Sequence, residues 1–235
     1  MKRYLLLLIV ALSLTVIVKA QTVVKKRRLD EKTVVKDTSG TVFAYPVWQA
    51  MVKSGDYVVK PIDPSSDSTA YVIYKLSEEQ KDKRLSRMKK PAESEFFTTG
   101  EKIASFRAND LDGFKIKLKE LEGKVVVLNF WFIGCPPCRR EIPELNKLAL
   151  SYANDPNVVF IAIALDNKSD IKEFIKNTPF AYHIVDDGRM YANLYKIHLF
   201  PTNVVLDKEG KVRFHASGYT LNTPYWIKKT IEESK

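Results

Sequence analysis

Hydrophobic and polar positions change their pattern near residue 100. Beyond it, apolar runs of strand length alternate with segments of helical period, which predicts an α/β sheet. Lys124 to Trp131 is almost continuously apolar, as a central strand covered on both faces requires. A helix is predicted from Pro136 through Tyr152, with Ile142, Leu145, Leu148 and Leu150 in its apolar stripe. Val158 to Leu165 is a second buried strand, and Ser169 to Lys176 a short amphipathic helix with Ser169 as its N-cap. A short strand at Tyr182 to Val185 and a short helix at Met190 to Tyr195 follow. Thr202 to Leu206 and Val212 to His215 form a hairpin across Asp207-Lys208-Glu209-Gly210, and Tyr225 to Glu233 a terminal helix.

The region before residue 100 is patterned less regularly. It contains short strands at Thr33 to Val35, Tyr57 to Val59 and Ala70 to Tyr74, the last two flanking the polar loop Asp63 to Ser68. A helix is expected to start near Pro46 and to stop at Ser54-Gly55-Asp56. Leu76 to Lys90 reads as a charged helix, polar over most of its surface, and is expected to be a solvent-facing connector. The opening has the layout of a secretory signal: Lys2 and Arg3, an apolar run from Tyr4 to Val18, then Val18-Lys19-Ala20. Cleavage is placed after Ala20, because the run is shorter than the roughly 20 apolar residues that span a bilayer. The expected division is therefore a signal peptide at 1–20, a small α+β segment at 21–100, and the α/β domain at 101–235.

Charge adds little to this picture. Removing Lys2, Arg3 and Lys19 with the leader takes the formal charge from +10 to +7, but acids are interspersed throughout. That fits a solvated basic surface better than a nucleic-acid site, and an exported chain rarely meets nucleic acid.

Cysteine usage adds a great deal. The only two cysteines are Cys135 and Cys138, in Cys-Pro-Pro-Cys. A loop this small constrains little of the unfolded chain, so the pair suits redox exchange better than stapling. Exchange needs a thiolate to attack and a second thiol to resolve the mixed disulfide. At a helix N-terminus, free N–H groups and the helix dipole favour an anion on the first sulfur. Cys135 is thus the expected nucleophile and Cys138 the resolving thiol. Pro136 and Pro137 suit a first turn, where missing N–H groups cost little. No cofactor or metal is expected. A c-type haem site would need His where Arg139 stands, and a zinc site would need more ligands than the dispersed His183, His198 and His215 offer.

The run Asn129-Phe130-Trp131-Phe132-Ile133-Gly134-Cys135-Pro136-Pro137-Cys138-Arg139-Arg140-Glu141-Ile142-Pro143 resembles the TlpA/ResA-like branch of thioredoxin-fold proteins. Val159 to Asp166, Phe200 to Gly210 and Gly218 follow in that family's order, so the resemblance spans roughly Gly100 to Lys235. It implies a central mixed sheet flanked by helices, with Pro201 in cis facing the cysteine pair. It also implies that the backbone at Phe200 pairs with an extended substrate segment, and that the chain is an exported thiol–disulfide oxidoreductase. A reductant is the commoner role in this family, as in cytochrome c maturation or disulfide repair. Its partners would be exported protein disulfides or dithiols and a membrane electron donor or acceptor, and the chain would be a monomer.

The chain departs from the family pattern at several positions. Asn129 stands where thioredoxins carry a buried Asp, both residues between the cysteines are Pro where some reductants of the branch have Glu, and Gly134 replaces the usual Trp. Gly134 is expected to leave the sulfur rim open, and Glu141 and Glu144 to make surface salt bridges. A peroxidase of the same fold would carry Thr three residues before its cysteine, where Phe132 stands. A pure binding module would not need the cysteine pair, although a docking role stays open for residues 21–90.

Overall fold

A computed structural model of the chain describes residues 29–63 and 70–235. The predicted leader and the tip of the Asp63 to Ser68 loop lie outside the described residues. In chain order the amino-terminal part contains β1 (Val34–Lys36), β2 (Val42–Phe43), α1 (Tyr45–Lys53), β3 (Tyr57–Pro61), β4 (Ala70–Lys75) and α2 (Glu78–Ser86). Then come β5 (Arg107–Asn109), β6 (Lys115–Lys117), β7 (Val125–Trp131), α3 (Pro136–Ser151), β8 (Val158–Ala164), α4 (Lys168–Asn177) and β9 (His183–Val185). The chain finishes with α5 (Arg189–Leu194), β10 (Thr202–Leu206), β11 (Val212–Ser217) and α6 (Thr223–Ser234).

The main sheet has the order β11-β10-β7-β8-β9. β7, β8 and β9 run parallel, and β10 and β11 antiparallel to their neighbours. Parallel neighbours need a crossover, which α3 supplies between β7 and β8. All seven residues of β7 are buried, as its unbroken apolar run requires, because α3 and α6 cover one face of the sheet and α5 with the segment around Phe106 and Ile116 the other. The mixed α/β sheet flanked by helices is the architecture the alternating pattern predicts. Two local features differ. The β5–β6 hairpin is not among the predicted elements, since its strands, Arg-Ala-Asn and Lys-Ile-Lys, are three residues each and mostly polar. Helix α4 starts earlier than Ser169, because the Asn167 side chain accepts the Asp170 N–H at 3.0 Å and caps it.

The amino-terminal strands form a separate sheet in the order β2-β1-β4-β3, with α1 packed on it around Val35, Trp48, Tyr71 and Ile73. Helix α2 carries a full capping box, Ser77 and Gln80 each bonding the other's backbone. It is not the solvent-facing connector expected from its polarity. Lys81 and Leu85 are buried, and the Lys81 ammonium lies 2.5 Å from Asp56 and 2.7 Å from Glu144 on α3. Lys147 bridges the same two carboxylates at 3.1 and 2.6 Å. Pairing with two acids is what makes a buried lysine tolerable. Next to this junction Gly55 has φ +84° and its Cα faces the Leu221 side chain so closely that a Cβ would sit 2.9 Å from it. Asn222 bonds the Lys89 carbonyl at 3.0 Å. The amino-terminal sheet is thereby fastened to α3 and to the turn ahead of α6.

Lys81→Ala leaves Asp56 and Glu144 facing each other with only the exposed Lys147 to neutralise them. The expected cost is about 2–3 kcal/mol, read as a lower urea midpoint at neutral pH. An unchanged midpoint would mean that Lys147 alone suffices. Among the described residues, no helix is long and apolar enough to cross a membrane.

Candidate active site

Strand β7 delivers the chain to a tight turn at Phe132 to Gly134, and Cys135 is the N-cap of α3. The turn is held from the neighbouring strand: Asp166, just past β8, accepts the Ile133 N–H at 2.7 Å. Pro136 and Pro137 fill the first two helical positions. Cys135 and Cys138 form a disulfide with an S–S distance of 2.01 Å. The Cys138 N–H points at Cys135 Sγ, 3.2 Å away, so the sulfur takes the place of a capping oxygen. An anion on that sulfur would face the same donor and the positive end of α3.

The loop ahead of β10 packs, through Phe200, on the core cluster that contains this pair. The Phe200–Pro201 peptide is cis, and the Gly218 N–H donates to the Pro201 carbonyl at 2.7 Å, tying the loop to the end of β11. The Phe132 and Phe200 rings meet edge to face at 5.4 Å, and both pack on the core cluster that includes the two cysteines. Cys135 and Cys138 are thus joined directly, and Phe200, which precedes the cis Pro201, packs on the same core cluster as the pair. The sulfur rim is not left open: Cys135 is only 2% exposed. The missing side chain at Gly134 is compensated by Phe132, whose ring would lie 3.6 Å from a Cβ there.

Glu141 differs most from expectation. It makes no surface salt bridge; it is 0% exposed, one turn beyond Cys138 on the inner face of α3. Its carboxylate is held by Asn203 Nδ2, 2.9 Å from Oε1 and 3.0 Å from Oε2, and Asn203 Oδ1 accepts from Asn129 Nδ2 at 2.9 Å. Burial pushes the Glu141 carboxyl up to about 8, with the Asn203 hydrogen bonds pulling the other way. The helical spacing carries a signal for this, since Cys138, Glu141, Ile142, Leu145 and Leu148 lie on one face. Glu144 behaves more nearly as expected, pairing with Lys81 and Lys147.

The three histidines lie apart: His183 on Asp110 at 2.7 Å, His198 beside Glu95 at 3.1 Å, and His215 accepting the Ser94 N–H at 3.1 Å. Among the described residues, no group of three or more His, Cys, Asp or Glu is placed to hold a metal ion.

Residues 99–215 match the AhpC/TSA family. The thiol-disulfide oxidoreductase ResA of a Bacillus cereus strain is 36% identical over 123 residues, covering 52% of this chain and 70% of the relative. ResA of Halalkalibacterium halodurans is 35% identical over the same length and coverage. Among solved structures, a Chlorobium tepidum protein described as a thiol:disulfide interchange protein DsbE superposes with a TM-score of 0.54 at 26% identity, over 59% of this chain and 98% of that one. A thiol:disulfide interchange protein from Bacteroides sp. gives 0.51 at 26% identity, over 60% and 94%. With a Cys-Pro-Pro-Cys disulfide at a helix start, a cis proline ahead of β10 and these relatives, the chain belongs to the ResA-like thiol–disulfide oxidoreductases of the thioredoxin-like AhpC/TSA family.

Proposed function

We propose that the chain is an exported reductant of protein disulfides, with Cys135 as nucleophile, Cys138 as resolving thiol and Glu141 as the acceptor of the Cys138 proton. The observation that carries the reading is a buried carboxyl, with no cationic partner among the described residues, one helical turn beyond the second cysteine of a helix-capping pair. In the reduced protein, Cys135 thiolate attacks one sulfur of the substrate disulfide. A mixed disulfide forms and the first substrate sulfur leaves as a thiolate. Cys138 then passes its proton to the Glu141 carboxylate and attacks Cys135 Sγ. The second substrate sulfur leaves, two electrons have moved to the substrate, and the protein is left with the Cys135–Cys138 bond. Burial that raises the Glu141 carboxyl to about 8 makes it a stronger base than an exposed carboxylate, which suits it to accept a thiol proton.

The extended segment carrying the substrate disulfide pairs with the backbone at Phe200, beside Pro201. The secretory-signal pattern at 1–20, with removal after Ala20, supports export, and a membrane dithiol donor would regenerate the reduced form. Residues 21–100 form a small accessory unit and 101–235 the catalytic domain, acting as a monomer; cytochrome c maturation or disulfide repair is the setting the reductant role fits.

The test is the equilibrium reduction potential of the chain beginning at Gln21, measured against glutathione buffers. A value of about −250 mV or below supports a reductant, and one of about −120 to −180 mV reverses the proposed direction. Absence of any reversible two-electron couple would sink the proposal.

A further inference from the structure

Glu141 is held by a side chain to which the exchange steps assign no part. Asn203 lies on β10, two residues beyond Pro201, and is fully buried. Among the described residues it is the only hydrogen-bond partner of the Glu141 carboxylate, reaching both oxygens through one Nδ2. Its orientation is determined from behind. Asn129 and Asn203 are direct partners in the β7–β10 ladder, and the Asn129 Nδ2 donates to Asn203 Oδ1. With its Oδ1 taken by Asn129, Asn203 presents its nitrogen to both Glu141 oxygens, the arrangement an ionised carboxylate, which only accepts, requires.

We propose that Asn203, oriented by Asn129, is a positioning residue for the resolving step: it fixes the Glu141 carboxylate one turn from Cys138 and lets it ionise without a cation beside it. This rests on the reading of Glu141 as proton acceptor. Burial alone keeps a carboxyl neutral, and a neutral acid cannot accept the Cys138 proton. Two amide contacts in dry surroundings favour the anion, since hydrogen bonds to an ionised group are strengthened there. Other groups facing Glu141 do not replace this donor. Tyr182, just ahead of β9, and Tyr219, in the loop after β11, both feel the Glu141 charge and are themselves held neutral by burial. Arg140 and Glu144 act on Tyr219 with opposite sign, and the two cysteine sulfurs share α3 with Glu141. Because Asn203 is on the strand that begins directly after Pro201, the edge proposed to receive substrate and the side chain that holds the proton acceptor lie two positions apart in one segment.

The experiment is the pH dependence of insulin disulfide reduction by the full chain, compared for wild type, Asn203→Asp, Asn203→Ala and Glu141→Gln. Asn203→Asp is isosteric but exchanges the donor for a second acid. The midpoint of the rising limb is expected to move up by roughly one to two pH units, with the high-pH rate retained. Asn203→Ala should move it in the same direction. Should both 203 variants fail to fold, Asn129→Ser, which frees Asn203 to flip, is expected to give a smaller upward shift. A uniform loss of rate with an unmoved midpoint overturns the positioning role. Glu141→Gln separates the two readings: if it leaves the limb in place, the proton-acceptor assignment itself fails, whereas a limb lost in Glu141→Gln but unmoved in the Asn203 variants refutes only Asn203.

Discussion

Cys135→Ser is expected to reduce disulfide exchange to the uncatalysed level, whereas Cys138→Ser stops it one step later with substrate attached. The asymmetry follows from position. Cys135 Sγ occupies the capping site of α3, where the helix dipole and the Cys138 N–H favour its thiolate. A serine hydroxyl there accepts the same hydrogen bond but cannot act as a thiolate. Cys138 lies inside the first turn, and its loss leaves Cys135 able to attack. Without the resolving thiol the intermediate persists, so the Cys138→Ser protein should retain a disulfide-linked substrate that non-reducing gels detect and a reductant releases. If Cys138→Ser forms no adduct while Cys135→Ser does, the two roles are exchanged. If neither does, thiol exchange is not what the pair performs.

Glu141→Gln should raise stability at alkaline pH by on the order of 4 kcal/mol while slowing resolution of the mixed disulfide. The folded protein holds the carboxyl at about 8 against a free value of 4.5, because burial penalises the anion. A raised folded value means that the neutral acid's contribution is fully present below about pH 4.5 and is lost progressively as pH rises through about 8. Each unit of difference corresponds to about 1.4 kcal/mol. Wild-type stability from this group therefore falls across that window, and glutamine, which does not titrate, removes the slope. Urea unfolding of both proteins at pH 5 and pH 8, in the oxidised form, measures it. Curves that stay parallel between the two pH values would show that Glu141 is not buried as described. The chemical consequence is separate: with no acceptor within the helix, the Cys138 proton must go to solvent, and the Cys135 mixed disulfide should be longer lived near neutral pH.

The stabilising effect and the catalytic one pull in opposite directions at this residue. An apolar side chain at 141 would pack on the same face as Ile142 and Leu145 without a desolvation cost. A carboxyl there has a desolvation cost, which the proposed proton transfer explains. The asparagine chain from β7 through β10 lowers that cost without introducing a charge, which in so dry a setting would fix the acid as a permanent anion.

Much of the architecture is legible from residue order. Strand β7 is recognisable because burial on both faces demands an unbroken apolar run, and the Cys-Pro-Pro-Cys motif marks a helix start because only a first turn tolerates two adjacent prolines without N–H groups. The number and spacing of the cysteines, with their place at a helix start, point to redox exchange rather than stapling. The β5–β6 hairpin escapes such a reading because two three-residue strands, Arg-Ala-Asn and Lys-Ile-Lys, are too short to show a period.

Local sequence determined most of the segments that fold as strands or helices, and placed two cysteines three positions apart at a helix start. The tertiary structure decided the state of the charged residues among them. Lys81 and Glu141 each look solvated in a sequence rich in charge, yet one is neutralised by acids 25 and 63 positions away and the other is held by an amide 62 positions away. Periodicity reports which face a residue occupies. Whether a charge on that face meets water, a counter-ion or an asparagine depends on what packs opposite, and distant parts of the chain supply that partner.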